Sequence, residues 1–348
     1  MKRTVLAVDI GTSSLKAALI DARGTILAEA RCRFPEGKRM GTDWTNAFSE
    51  AVGLLSPDDG LAAVSVSGNG PTLIAVGPDD RDGEILLWND PIPARPVYRT
   101  VGIEKTSIPN GRYTAMTHET PSLFLPRIDA YRRLYPETFT KARYILSGPE
   151  YLIYRLTGEA VTILPDPRFT PAYWTEAQLV RAGIDPEKMP TCVPTGVIVG
   201  NTRATWPTGI AGIPVVACGP DFVAALIGTA SLEPGRACDR AGTSEGLNLC
   251  TGLNLAVPGV RTLPSVIPGL WNASVLLPET GALFHNWRRE SGQVDRSYPD
   301  IMAEIESSPI MASPGSAQHT GRKLVEEIGF AVRRAIEILN GTYGTVPV

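Results

Sequence analysis

Residues 4–21 read Thr-Val-Leu-Ala-Val-Asp-Ile-Gly-Thr-Ser-Ser-Leu-Lys-Ala-Ala-Leu-Ile-Asp. An apolar run carrying an acid near its end turns through glycine and a string of hydroxyl residues, then resumes as a second apolar run. That order predicts a strand, a tight turn and a second strand. A reversal at Ala22-Arg23-Gly24 leads to a third strand over 25–29, which makes a meander. The turn has the chemistry of a polyphosphate cradle. Gly11 lets backbone approach closely, since it has no Cβ. The amides and hydroxyls of Thr12, Ser13 and Ser14 can donate to phosphate oxygens, and Lys16 adds a cation. Asp9 is a hard oxygen ligand suited to Mg²⁺, directly or through water. A P-loop or dinucleotide site would instead set its turn between a strand and a helix. An ordinary Gly-Thr-Ser hairpin is the plainer alternative.

The same device recurs. Residues 213–221, Ile-Pro-Val-Val-Ala-Cys-Gly-Pro-Asp, read as a strand ending in a turn and an acid, followed by an apolar helical stretch over 222–228. Residues 241–250 then give Ala-Gly-Thr-Ser-Glu-Gly-Leu-Asn-Leu-Cys, a second turn at Gly242, Thr243 and Ser244 flanked by strand-like sequence. Two such turns and a separately placed acid imply two related halves facing a cleft. Gly242–Gly246 also fits Gly-x-Ser-x-Gly, with Asp295 or Asp300 and then His319 in the order of a serine hydrolase. However, Leu247-Asn-Leu-Cys reads as strand where a nucleophile elbow needs a helix.

With 348 residues the chain is long enough for two domains. At 43% hydrophobic and 20% charged it can bury a core. A net charge of −3 gives no electrostatic case for nucleic-acid or membrane partners. The five cysteines at 32, 192, 218, 238 and 250 form no Cys-x-x-Cys pair. They read as reduced thiols of a cytoplasmic protein. No signal peptide or membrane span is expected. His118, His285 and His319 are too widely spaced to suggest a metal site. Further along, the pattern predicts a helix over 47–55, strands over 61–68, 73–76 and 85–88, and irregular chain over 91–122. It also predicts helices over 123–134 and 151–156, proline-broken helical pieces over 160–200, and a long helix over 324–339 ending at Asn340-Gly341.

On these residues the chain resembles the FGGY family of carbohydrate kinases. The resemblance implies an α/β, actin-like (ribonuclease-H-like) duplicated fold with mixed five-stranded-type sheets. It divides the chain into an N-terminal domain over 1–208 and an incomplete C-terminal domain over 209–348. Further matches are Ser65-Val-Ser-Gly-Asn-Gly-Pro71, Trp88-Asn89-Asp90 and Tyr151-Leu-Ile-Tyr-Arg-Leu-Thr-Gly-Glu159. By the resemblance Trp44, Asn69 and Asp90 bind a sugar or polyol. Trp44 would supply an aromatic face and Asp90 would accept from hydroxyls. Packing and strand-end-turn roles are the bland alternatives. Asp221 would be the general base for in-line transfer from MgATP, or alternatively a simple helix cap. Phe222 departs from the polar residue common after that acid. The family's Gly-Gly-rich adenosine segment has no counterpart before Val348. That departure leaves open a sugar-binding, catalytically impaired descendant, a homodimer, or a site completed by another polypeptide.

Overall fold

The long parallel ladder between residues 4–10 and 61–68 organises the first half of the molecule. The computed structural model describes residues 3–35, 37, 39–92, 122–206, 209–242, 244–307 and 317–344. The chain divides into two compact units, one running to Ala224 and the other starting at Ala225. In the first, β1 (Thr4–Ile10), β2 (Ser14–Asp21) and β3 (Ile26–Arg33) form the predicted meander. Helix α1 (Gly41–Leu55) crosses to β4 (Leu61–Gly68), which runs parallel to β1. A small sheet in the order β6-β5-β7 follows, from β5 (Leu73–Val76), β6 (Asp82–Leu86) and β7 (Tyr144–Leu146). Between β6 and β7 lie α2 (Leu125–Leu134) and α3 (Pro136–Lys141). After α4 (Gly148–Thr157) come β8 (Val161–Ile163), α5 (Glu176–Arg181) and β9 (Thr191–Val193), with β8 and β9 paired in parallel. The unit closes with β10 (Ile198–Asn201) and β11 (Pro214–Pro220), leading into α6 (Asp221–Gly228).

The main sheet has the order β10-β11-β4-β1-β2-β3. Its sixth strand is β10, which adds antiparallel to β11 outside the five expected. Strict alternation in β1 buries Leu6, Val8 and Ile10 on one face. Helix α1 supplies Trp44, Phe48, Ala51, Val52 and Leu55 to the same core, a set of positions spaced three and four apart. Phe48 is fully buried and meets the Trp206 ring edge-on at 5.3 Å.

Some boundaries differ from the sequence pattern, two of them for identifiable local reasons. Helix α1 begins at Gly41 rather than 47, because Asp43 Oδ2 accepts the Met40 N–H at 2.8 Å and caps an earlier turn. Strand β6 ends at Leu86 because the next two amides leave the ladder for side chains. Leu87 N–H donates to Asp90 Oδ2 at 2.7 Å, and Trp88 N–H donates to Thr72 Oγ1 at 3.1 Å. Residues 160–200 hold short strands as well as helical pieces. The sequence-based domain boundary precedes β11, yet β11 pairs with β4 in the sheet of the first unit. Most of the proline-rich stretch, with His118, lies outside the described residues.

The second unit holds an antiparallel sheet in the order β12-β13-β15-β14. Its strands are β12 (Ala237–Ala241), β13 (Glu245–Thr251), β14 (Arg261–Pro264) and β15 (Trp271–Leu277). Helices α7 (Thr280–Glu290), α8 (Tyr298–Ser307) and α9 (Ala317–Tyr343) follow. Leu247, Leu249, Ala273 and Val275 pack against Ala335 and Leu339 of α9, so the C-terminal half of the predicted helix faces a core. The helix runs through Gly341 to Tyr343, where the Tyr343 hydroxyl lies 3.3 Å from Thr262 Oγ1. Among the described residues no helix is long and apolar enough to cross a membrane.

The core arrangement makes a quantitative claim about Phe48. Phe48→Ala should cost about 3–5 kcal/mol, because its fully enclosed site cannot collapse without moving α1 off the sheet. Urea unfolding followed by tryptophan fluorescence measures this; a loss below about 1 kcal/mol would contradict the packing described.

Candidate active site

Three parallel strands end in line. Ile10 of β1 is level with Gly68 of β4, and Gly68 is level with Pro220 of β11. The residues that follow are Gly11, Asn69 and Asp221, so the turn, the amide and the acid emerge from one edge of one sheet. Neighbouring strands lie about 4.8 Å apart, which sets Gly11 and Asp221 roughly 10 Å from each other. Ligands of α/β sheets bind at this carboxyl edge. The register between β4 and β11 shifts by one residue at Ala217/Gly219, and Gly219 adopts a φ of +102°. A side chain there would be strained, so the glycine permits the bulge that turns the strand before Asp221. Asp221 itself is partly exposed and opens α6.

The first turn is tighter than the sequence implies. Gly11 N–H donates to the Ser14 carbonyl at 3.0 Å, and a Cβ on Gly11 would press on that same oxygen. The buried Ser14 hydroxyl accepts from Arg31 Nε at 3.1 Å. The Thr12 and Ser13 amides make no internal hydrogen bond among the described residues, and Ser13 is exposed. The Thr12 hydroxyl accepts from Trp88 Nε1 at 3.0 Å and from Asn69 Nδ2 at 3.3 Å. The Thr12 carbonyl accepts from Arg39 Nη1 at 2.5 Å. Arg39 also lies 4.4 Å from the Phe34 ring centroid. Burial lowers its pKa, and Asp43 and Asp90 pull it back up.

Asp9 and Ser67 are neighbours across β1 and β4, and Lys16 faces Asp9 from β2. Among the described residues, neither Asp9 Oδ1 nor Ser67 Oγ, both buried, has a hydrogen-bond partner. Burial raises the Asp9 pKa, and Lys16 opposes that rise. An unpartnered carboxylate oxygen beside an unpartnered hydroxyl is a pair of hard oxygens that fits a Mg²⁺ ion or its water shell.

Asn69 is enclosed, with its Oδ1 accepting from Thr72 Oγ1 at 2.8 Å and its Nδ2 donating to Thr12 Oγ1 at 3.3 Å. These bonds tie it to the turn. Asp90 is partly exposed at the end of the turn after β6, with one oxygen capping Leu87 N–H. The buried Arg127 of α2 anchors this turn by donating to the Leu87 carbonyl and, at 3.4 Å, to the Asp90 carbonyl. Burial lowers the Arg127 pKa to about 10, with Asp90 countering. Trp44 departs from the expectation of a sugar-lining face. It is 1% exposed, meets Tyr151 edge-on at 5.5 Å, and offers no open surface to a ligand. Its position in the apolar stripe of α1 explains this, since the helix starts early enough to turn Trp44 into the core.

Arg39, Thr72, Trp88 and Arg127 join the cluster without having been singled out as site residues from the sequence. Trp88 stands in the segment that carries Asp90, which is a signal of sorts. Nothing in the sequence pattern marks the other three.

In the second unit Ala241 pairs with Glu245, so the second hydroxyl turn is the loop of the β12–β13 hairpin. Gly242 is exposed and Ser244 partly so, while Thr243 lies outside the described residues. Glu245 is buried, and its pKa is raised by that burial and then by Asp239. The residues after Ser244 form β13, which excludes a nucleophile elbow and with it the hydrolase arrangement.

The architecture is that of the actin-like sugar kinases. The ligand-bound xylulose kinase of Lactobacillus acidophilus superposes with a TM-score of 0.74 at 16% identity, covering 99% of this chain and 80% of that one. The chain belongs to the FGGY family of carbohydrate kinases, whose N-terminal domain profile matches residues 4–228. Escherichia coli xylulose kinase is 24% identical over 338 residues, 89% of this chain and 67% of that protein. Streptomyces rubiginosus xylulose kinase is 29% identical over 270 residues, 69% of this chain and 53% of that protein. The chain thus spans between about half and two-thirds of these curated relatives.

The unmet oxygens at Asp9 have a thermodynamic consequence. An acid whose pKa is raised by folding costs stability while ionised, and the cost fades as pH falls through the folded pKa. Asp9→Asn should therefore raise the melting temperature at pH 7 by about 2–4 °C for each kcal/mol recovered. The gain should shrink on acidification. Differential scanning calorimetry across pH 4–8 checks it, and a variant less stable than the parent at neutral pH would refute it.

Proposed function

We propose that the chain catalyses transfer of the γ-phosphoryl group of ATP to a hydroxyl of a sugar or polyol. The observation that carries this reading is the lateral alignment of Ile10, Gly68 and Pro220, which sets Asp221 one strand beyond the neighbour of the phosphate turn. A gap of roughly 10 Å between Gly11 and Asp221 accommodates a phosphoryl group and the attacking hydroxyl in line. Asp221 accepts the hydroxyl proton as the oxygen bonds to the γ-phosphorus. The bond from that phosphorus to the β–γ bridging oxygen breaks, and ADP leaves. A carboxylate suffices as base, because in-line transfer depends on positioning and charge neutralisation more than on basicity.

In this reading the free amides of Thr12 and Ser13 and the Ser13 hydroxyl hold phosphate oxygens, with Lys16 and Arg39 adding positive charge. Gly242, Thr243 and Ser244 form the second phosphate turn. Asp9, with Ser67 beside it, would hold Mg²⁺, which when bound offsets the charge of the phosphates. Asp90 takes substrate hydroxyls on the carboxylate edge left open by Leu87. The family membership and the sugar-kinase fold support the reaction class.

The test uses ADP release across a panel of pentuloses, hexuloses and polyols. The parent chain should respond to at least one of them. Asp221→Asn should lose about 10²–10⁴ in turnover with sugar affinity largely retained. Sugar binding with no ADP release from the folded parent would instead favour the non-catalytic, sugar-binding reading.

A further inference from the structure

At this edge Trp88, Thr72, Asn69 and Thr12 form a hydrogen-bond relay whose direction follows the orientation of the Asn69 amide. The Trp88 backbone N–H donates to Thr72 Oγ1 at 3.1 Å. The Thr72 hydroxyl passes its proton on to Asn69 Oδ1 at 2.8 Å. That bond turns the Asn69 amide so that Nδ2 donates to Thr12 Oγ1 at 3.3 Å. The Trp88 indole Nε1–H reaches the same Thr12 oxygen at 3.0 Å. A backbone N–H and an indole N–H can only donate. With the Asn69 amide so oriented, both lone pairs of the Thr12 hydroxyl are filled, and its single proton meets no acceptor among the described residues. Thr72 and Asn69 are buried, so water does not compete along the relay, whereas Thr12 is partly exposed at the turn.

We propose that Trp88 and Thr72, acting with Asn69, are positioning residues that hold the Thr12 hydroxyl as an obligate donor to an oxygen of the phosphoryl group being transferred. The proposal rests on the kinase reading and adds to it a positioning role for Trp88 and Thr72. A free threonine hydroxyl rotates and can present a lone pair to an anion, which repels it. Here that orientation is removed before the ligand arrives. A donor already aimed where charge develops needs no reorganisation during transfer. Hydrogen bonds to an ionised acceptor are about twice as strong as neutral ones, so the benefit appears at the phosphoryl oxygens rather than at a sugar hydroxyl. The Arg39 guanidinium on the Thr12 carbonyl restrains the same residue from its backbone side.

The test is a kinetic and binding series on the full chain. Thr12→Val removes the donor and should cost about 10²–10³ in kcat. Thr12→Ser keeps the hydroxyl and should recover most of the kcat that Thr12→Val loses. Trp88→Phe preserves the ring and deletes one N–H; it should lower kcat roughly tenfold, the worth of one hydrogen bond, with KM for the sugar little changed. Because Trp88 acts through Thr12, the double variant should be no worse than Thr12→Val alone. Titrations with ATP and with ADP give a readout apart from turnover: Trp88→Phe should narrow the preference for ATP and leave ADP affinity unchanged. Thr72→Val should behave as Trp88→Phe does; if it does not fold, the Trp88 and Thr12 series decides. Additive losses in the double variant, a Thr12→Ser variant as impaired as Thr12→Val, or a Trp88→Phe variant matching an active parent would overturn the relay and leave the kinase reading standing. A parent chain that binds no nucleotide and turns over no sugar would overturn both.

Discussion

The arrangement depends on the lateral register of β1, β4 and β11. Parallel ladders tie Ile10 to Gly68 and Gly68 to Pro220, and side chains alternate with a period of two. A slip of one residue in the β1–β4 ladder would turn Leu6, Val8 and Ile10 away from the core. One in the β4–β11 ladder would do the same to Val215 and Ala217, so burial of these apolar sets fixes both registers strongly. The same slip would carry Asp221 or the Gly11 turn out of line with the other. Packing of an apolar face thus sets the spacing between a phosphate-type turn and an acid. Neither group contributes to the packing itself.

Around that fixed edge the polar groups divide by burial. Ser14, Asn69, Thr72 and Arg127 are enclosed and have partners inside the protein. Ser13, Asp90 and Asp221 keep some exposure. Asp9 and Ser67 stand between these classes, with buried oxygens that no donor among the described residues meets. Such unmet groups are costly in a structural role and common where a ligand completes the shell. The edge is accordingly a rigid frame with a few open valences, as preorganised binding of a charged ligand requires.

Much of this was legible in the sequence, for identifiable reasons. The meander, β4, β11 and the helix after Asp221 follow from strong apolar periodicity bounded by Gly and Pro, and the hydroxyl turn is a local signature. Less legible are the surroundings of side chains whose roles depend on tertiary contacts. Trp44 looks like a ligand face in one dimension, yet Asp43 starts its helix early and turns it inward. Asn69 looks like a substrate amide, but Thr72 and Thr12 engage both its ends. Arg127 carries no sequence signal, because an arginine in an amphipathic helix normally reads as solvated. Strand β6 ends early for the same reason that Trp88 joins the site: its backbone amide leaves the ladder for Thr72.

Arg127 also bears on how such a protein can diversify. Its guanidinium fastens the Leu87 and Asp90 carbonyls to α2, on the far side of the stretch over 93–121. The acid is therefore moored from below by a charge that persists across physiological pH. Changes of length or sequence in that intervening stretch therefore need not unseat it, since both of its anchoring carbonyls are held by a residue from beyond the stretch.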